Sequence, residues 1–457
     1  MTPVSEPNAD PEPEPLVSPL TAQHVLEAIT DPHSWIYRRV EHFEIIDTSR
    51  ICRKVSVDCA PTLPTIVDTR GNRLRPVPLG FLPKGAIRNF DLRRSDRSAA
   101  NLLPSVDTGT MVTAAVLALA DDTIRNFVDV NPQAAPPTES DRRRSAASFI
   151  WRTVYDRPVP VAHDTSSPPA VTRFEEALLE DGNVGWFLNF LSNHFLLVAA
   201  LPPGTPLSQR ELVKFSLETK HGRDGGATET KLPQLRWFER LAVAVGWRAK
   251  YIEIPVESAF FAGSFHAEIS APDGVDLMSL RLVGIGRDTT ESRVLAEASG
   301  PDARLHLHAT PPNRGIRTSL LVELRASRGG WLRPAFLTAL LTTLVLLAGW
   351  KGFESAEHPS TLRDASTVVL ALTSVFPAVL VRRGEHSLAA RLLVGARAFL
   401  LISLACLLAM AGSLAFGIQY LDDSYAAWWW RFGLVSAVPT IGLGLSLALP
   451  RAHQNSK

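Results

Sequence analysis

The chain has 457 residues, a formal net charge of +1, 46% hydrophobic and 20% charged residues, and a mean hydropathy of +0.06. These averages conceal a division: of 47 basic and 46 acidic residues, the part from Trp331 onward holds ten and six, and residues 1–330 hold 37 and 40. A front of net −3 joined to an apolar back excludes an all-soluble enzyme, and the bulk charge excludes a basic nucleic-acid binder.

Met1 to Leu20 is acidic and Pro-rich, without a basic n-region or an apolar h-region. It predicts a disordered segment and no cleavable secretory signal. Thr21 to Ala28 reads as a short helix. Val40 to Phe90 reads as β-rich: Phe43, Ile45, Ile51, Val55 and Val57 sit among polar residues in strand fashion. Asp68 to Asn72 is a turn signal. Pro61, Pro64, Pro76, Pro78 and Pro83 predict edge strands or short runs. Asp91, Arg93, Arg94 and Asp96, after Phe90, read as a charged loop.

Helices come next. Leu117, Ala120, Ile124 and Phe127 form a 3-4-3 apolar stripe, with Asp107 and Thr108 as cap candidates. Glu139–Tyr155 reads as a second helix, and Val171–Leu179 as a third, stopped at Asp181-Gly182. Phe187, Phe190, Leu191 and His194 line a fourth. Residues 132–137 and 158–169 read as loops.

A second β section follows. Phe195 to Leu201 is a continuous apolar run that suits a buried strand. Val213, Phe215 and Leu217 alternate with polar residues. Residues 221–230 read as a Gly-rich loop, and Pro233 opens a short helix ending near Gly246. Ile252/Ile254/Val256, Phe265/Ala267/Ile269, Met278/Leu280/Leu282, Leu305/Leu307/Ala309 and Leu320/Val322/Leu324 each alternate with period two. With turns at Pro272-Asp273-Gly274 and Pro311-Pro312-Asn313, they predict an antiparallel sandwich. Its last strand ends at Arg325, too close to Trp331 for a free tether.

Four apolar stretches close the chain: 331–350, 366–381, 392–418 and 432–449. The first is about 30 Å long as a helix, which matches the hydrocarbon thickness. Basic residues alternate along their flanks, from Arg325, Arg328 and Arg333 to Arg382, Arg383 and Arg391, then Arg451 and Lys457. The positive-inside rule then puts residues 1–330 and both termini in the cytoplasm of a multi-pass inner (plasma) membrane protein. Trp331 would anchor the inner edge, and Tyr420 with Trp428, Trp429 and Trp430 the outer one. Ala405, Ala409, Ser413 and Gly417 recur every four residues, as do Gly442 and Ser446, a spacing that suits helix packing or homo-oligomerisation.

The fold class expected is therefore an α+β cytosolic region followed by a C-terminal four-helix transmembrane bundle. The divisions are a disordered 1–20, an α+β region 21–200, an antiparallel β-rich membrane-proximal domain 201–328, helices within 331–450, and a cytosolic tail 451–457; the two β sections are either two domains or one domain with a helical insert.

Catalytic motifs for nucleotide binding, zinc hydrolysis or a nucleophile elbow are missing from the sequence. Gly284 and Gly286 give only an isolated G-x-G, read as a turn. Cys52, Cys59 and Cys406 give neither a disulfide framework nor zinc spacing. His306 and His308 share a strand face, and His266 on another strand is a third metal candidate; exposed strand histidines are the ordinary alternative. His194 reads as a packed or dipole-pairing histidine. Arg142-Arg143-Arg144 and Arg38-Arg39 are either anionic-lipid contacts or solvated faces.

Phe90-Asp91-Leu92-Arg93, Leu212-Val213-Lys214-Phe215-Ser216, Ser264-Phe265-His266-Ala267-Glu268-Ile269 and Gly330-Trp331-Leu332-Arg333 resemble segments of multi-pass membrane proteins of high-GC, actinobacterial-type bacteria. The resemblance covers most of 40–350 and fits the preference for Arg, with only eight Lys among the basic residues. It implies an architecture and a bacterial source, and transfers no site residue. The expected function is a non-enzymatic sensor or scaffold: a cytosolic module that binds a small molecule or a protein, needs no cofactor, and is held by helices in the lipid bilayer. The alternatives are a gated pore controlled by the module, and a metal-dependent enzyme on the His266/His306/His308 face.

Overall fold

The computed structural model describes residues 19–47, 49–84, 87–127, 138–155, 173–205, 209–220, 242–256, 259, 261–285, 292–300, 303–308, 317–354, 371, 376, 386–415 and 425–448. Several expectations lie outside the described residues: those for 1–18, for the loops at 132–137, 158–169 and 221–230, for the Pro233 helix start, and for the turns at Gly286 and Pro311. So do those for Gly417, Tyr420, Arg382, Arg383 and the tail, and for the 366–381 stretch except Ala371 and Phe376, which are helical.

Helix α1 (Pro19–Thr30) leads through a 3-10 turn (Pro32–Ser34) into β1 (Ile36–Ile45), β2 (Arg50–Cys59), β3 (Ile66–Val67), β4 (Arg73–Pro83), β5 (Arg88–Arg93) and β6 (Asn101–Leu102). Helices α2 (Ser105–Leu119), α3 (Asp121–Asn126), α4 (Glu139–Tyr155), α5 (Arg173–Glu180) and α6 (Gly182–Asn193) follow. Then come β7 (His194–Leu201), β8 (Glu211–Lys220), β9 (Lys250–Pro255), β10 (Ser264–Ser270), β11 (Val275–Ile285), β12 (Ser292–Ser299), β13 (Arg304–His308) and β14 (Arg317–Ala326). A π turn (Arg328–Leu332) joins β14 to α7 (Arg333–Glu354), and α8 (Ser387–Leu392), α9 (Val394–Ala415) and α10 (Tyr425–Ala448) complete the described chain.

The strands form three sheets: a six-stranded one in the order β13-β10-β1-β2-β8-β5, and four-stranded ones in the orders β12-β11-β14-β9 and β3-β4-β7-β6. The six-stranded sheet takes strands from both sides of residue 201, where the sequence suggested a boundary. Strand β8 pairs with β2, and β10 runs parallel to β1. The second β section thus supplies half of a sheet whose other half is the first section, and one of its pairings is parallel rather than antiparallel. Period-two patterning specifies a face, not a partner, so neither feature is written locally.

Of the residues read as a charged loop after Phe90, Asp91 and Arg93 belong to the edge strand β5, while Arg94 and Asp96 lie in the turn that follows it. Strand β5 pairs with β8, buries Leu92 and turns Asp91 and Arg93 outward. Strand β4 is longer than its prolines suggested. It is tolerated because β3 reaches only Arg73 and Leu74, which leaves the rest of that edge without a strand partner among the described residues.

Two cores result. The first gathers apolar residues of α1, α2, α4 and α6 with β4, β7 and β8 and with Val55, Val57 and Cys59 of β2. The second gathers Phe43, Ile45 and Ile51 with the inner faces of β10, β11 and β14 and with the first turns of α7 and α9. One face of the six-stranded sheet serves both, so β1 and β2 cross from one core to the other.

Candidate functional site at the joint between the β module and the apolar helices

Among the described residues, three stretches are long and apolar enough to cross a membrane: Arg328–Gly349, Val394–Ser413 and Ala427–Ala448. Their outward residues are large and apolar: Leu337 and Leu344 on α7, Leu401 and Leu408 on α9, Val438 and Ile441 on α10 are all exposed. Their inward residues include hydroxyls and glycines. The Thr343 hydroxyl lies 2.9 Å from both Ser436 Oγ and Thr440 Oγ1, and all three residues are buried. Gly433 faces Leu347, Gly349 faces Trp429, Gly442 faces Phe399 and Gly444 faces Phe336. A Cβ on Gly349 or Gly442 would overlap the facing ring. Apolar outside and small or polar inside is the arrangement a lipid solvent selects, where close backbone approach and interhelical hydrogen bonds replace hydrophobic collapse.

The contacts also orient the helices. Phe336 meets Gly444, and Trp429 meets Gly349, so α7 and α10 are antiparallel. The start of α7, the start of α9 and the end of α10 all lie against the β module.

Residues 242–248 form the joint. Trp247 Nε1 donates to the Gly442 carbonyl at 2.9 Å, and Ser446 Oγ donates to the Val245 carbonyl at 2.7 Å. Arg325, at the end of β14 and buried, donates from Nε to Gly246 O at 2.8 Å and from Nη2 to Ser446 O at 3.3 Å. Gly395 of α9 approaches the Ala244 backbone so closely that a Cβ would sit 2.7 Å from its carbonyl carbon. Gly246 has φ +82°, which explains the glycine in this turn. On the other flank, His386 Nε2 lies 3.1 Å from Ile45 O, which ties the entry to α8 to the end of β1. The joint therefore uses backbone carbonyls of both partners and is fixed in register.

Deeper in the module, a buried ionic triad sits where the two cores meet. Arg53 grips Glu41 through Nε to Oε2 and Nη2 to Oε1, both 2.8 Å, and Arg39 Nε reaches Oε1 at 2.6 Å. Arg39 Nη1 also donates to Leu79 O of β4 at 2.6 Å. Gly80, with φ +132°, makes the room; a Cβ there would stand 3.2 Å from Arg39 Nη1. Burial alone would raise the Glu41 pKa, but Arg53 and Arg39 overcome it and hold the carboxyl at about 2. Burial also draws Arg39 below its ordinary value, yet arginine stays charged in folded proteins. Sequence reading placed Arg39 in an exposed basic pair and did not single out Glu41 or Arg53. A signal was present: Arg39 and Glu41 share the strand face of Phe43 and Ile45.

The other residues singled out from the sequence fall as follows. His266 and His306 are cross-strand partners with ring centroids 4.0 Å apart. Among the described residues no group of three or more His, Cys, Asp or Glu is placed to hold a metal. His194 stacks on Phe190, centroids 4.2 Å apart, with Nδ1 2.9 Å from the Phe190 carbonyl. Arg142 donates to Phe127 O, Arg143 pairs with Asp121 and Glu139, and Arg144 lies 3.9 Å from Asp141. Trp331 and Trp429 are buried, whereas Trp428 and Trp430 are exposed. Arg397 covers the Trp331 ring, 5.7 Å from its centroid. Gly442 and Ser446 lie in the joint; Ala405 and Ala409 are exposed on α9, and Ser413 is half-buried. A recess of about 570 Å³ opens between the 68–74 turn and the chain from Arg94 to Pro104, with Arg70, Arg73 and Arg94 on its wall.

Together these features define a membrane protein with a soluble β-rich module seated on its apolar helices. Compared with known proteins, the chain matches no family model and no curated relative.

Proposed function

We propose that the chain is a multi-pass inner-membrane protein whose cytosolic module binds a ligand or protein partner and passes the binding state to its helices, as a non-enzymatic sensor or scaffold. The observation that carries the reading is the joint: Arg325, Trp247 and Ser446 lock the module to α10 through backbone carbonyls rather than through a tether. A module held this way cannot shift without moving the helix ends.

The starts of α7 and α9 share one end of the helix group, so the chain between Glu354 and His386 has to return to the module side. The 366–381 stretch is our candidate for that crossing, which makes four spans. The basic flanks favour the cytosol for the module. The resemblance noted for the four quoted segments supports a bacterial inner membrane.

Reporter fusions to the full chain test the reading. A fluorescent protein fused after Lys457 is expected to fluoresce, and alkaline phosphatase there to be inactive. Phosphatase inserted near Asp422 is expected to be active. Active phosphatase at the C-terminus, or recovery of the full chain in the soluble fraction, overturns it.

A further inference from the structure

Arg142 and Arg143 are engaged by a carbonyl and by carboxylates, and Arg39 is buried. At the module side of the apolar helices the balance is different. Lys250 opens β9, level with Leu324 and next to the joint. Arg391 lies in the last turn of α8, which packs on β14. Neither is in an ion pair among the described residues, and the two cations repel each other: burial first, and then Arg391, draws Lys250 below its ordinary pKa. The carboxylates of this region, Asp276 and Glu323, act on Arg325 instead, and Glu323 also accepts from Ser279. Exposed Arg248 and Arg333 add to the excess.

Directly beyond Arg391 the surface turns apolar. Val394, Leu401 and Leu408 are 56%, 52% and 49% exposed and recur every seven residues. Seven residues bring a helix back to nearly the same face. Arg391 thus stands just before an open apolar stripe, and Lys250 reaches the same strand, β14, on which α8 packs.

We infer that Lys250 and Arg391 hold the phosphate of an anionic phospholipid whose acyl chains lie along Val394, Leu401 and Leu408 of α9. The phosphate would neutralise two like charges that the protein brings together, and the stripe distinguishes a lipid from a free anion. The inference rests on the membrane reading above, but its test does not depend on sidedness.

The full chain in detergent, analysed by native mass spectrometry, is titrated with phosphatidylglycerol, with phosphatidylcholine, and with phosphatidylglycerol in the presence of inorganic phosphate. The wild type is expected to prefer phosphatidylglycerol. The double variant Lys250→Gln/Arg391→Gln is expected to lose about fivefold in that affinity per charge, roughly 25-fold in all, with phosphatidylcholine binding unchanged. Lys250→Arg/Arg391→Lys, which keeps both charges, is expected to retain the preference. Equal binding of the two lipids by the wild type, or an unchanged preference in the Gln variant, overturns the inference. Loss of the preference in the charge-keeping variant does so too, because it would reflect disturbed folding rather than charge. Displacement of the lipid by inorganic phosphate would mark a free-anion site and refute the lipid assignment.

Discussion

Replacing Glu41 by Gln removes the only carboxylate of a triad that is otherwise two guanidiniums in the module's interior. The Glu41 carboxyl is held at about 2 against an ordinary 4.5, a difference equivalent to about 3 kcal/mol of stability. Breaking a buried ion pair from one side costs about 3–5 kcal/mol by general experience, so the two estimates overlap. For a domain of this size, that corresponds to a fall in melting temperature of roughly 6–12 °C. The assay is tryptophan fluorescence of the full chain in detergent, in which Trp35, buried near β1, reports on the module. The sign with pH follows from the depressed pKa. The contribution is complete above the ordinary carboxyl value and is lost as pH falls from about 4.5 toward 2. Wild type and Glu41→Gln should therefore differ most near neutrality and converge in acid. A difference under about 1 °C at neutral pH, or a gap that stays constant through that acid window, would refute the reasoning. The triple replacement Arg39→Met/Glu41→Leu/Arg53→Met should recover part of the loss, because apolar side chains of similar volume need no desolvation.

Other outcomes follow from the same contacts. Arg325→Ala should cost about 2 kcal/mol, since a buried charged donor to two carbonyls is lost, and should speed amide exchange at Trp247 more than in β7. Unchanged exchange there would mean that the joint is held by other groups. Gly349→Leu should drive a side chain into the Trp429 ring and destabilise the α7–α10 pair by about 1–3 kcal/mol, read as earlier loss of helicity on heating in detergent. Burial pushes the Cys59 thiol up to about 12, with Asp58 and Glu211 adding to the effect. Maleimide at neutral pH should therefore spare Cys59 until the chain unfolds, while half-buried Cys52 reacts first. Equal labelling rates would contradict the burial of Cys59.

Much of the secondary structure was legible because its signals are local. The apolar run ending at Leu201 is strand β7, and the stripe through Leu117 and Ile124 falls on α2 and α3. The strands at Ile252, Phe265 and Leu320 also fall where period-two patterning put them. Edge strand β5 was misread because Asp91 and Arg93 look like a loop when Leu92 is its one buried residue. The role of Arg325 was hidden for another reason. As a flanking arginine it fits the positive-inside pattern, yet its guanidinium is turned inward to carbonyls from two distant segments.

By itself, then, the sequence determined the division of the chain. Charge falls away after residue 330, and apolar stretches of membrane length follow, because hydropathy and length are properties of continuous segments. Only the tertiary structure decided which strands share a sheet. It also decided that Arg39, Glu41 and Arg53 meet, that residues 242–248 clasp the end of α10, and that Lys250 and the helix carrying Arg391 both come to β14. Each depends on residues far apart in the chain arriving at one place, and no local pattern records where a face will find its partner.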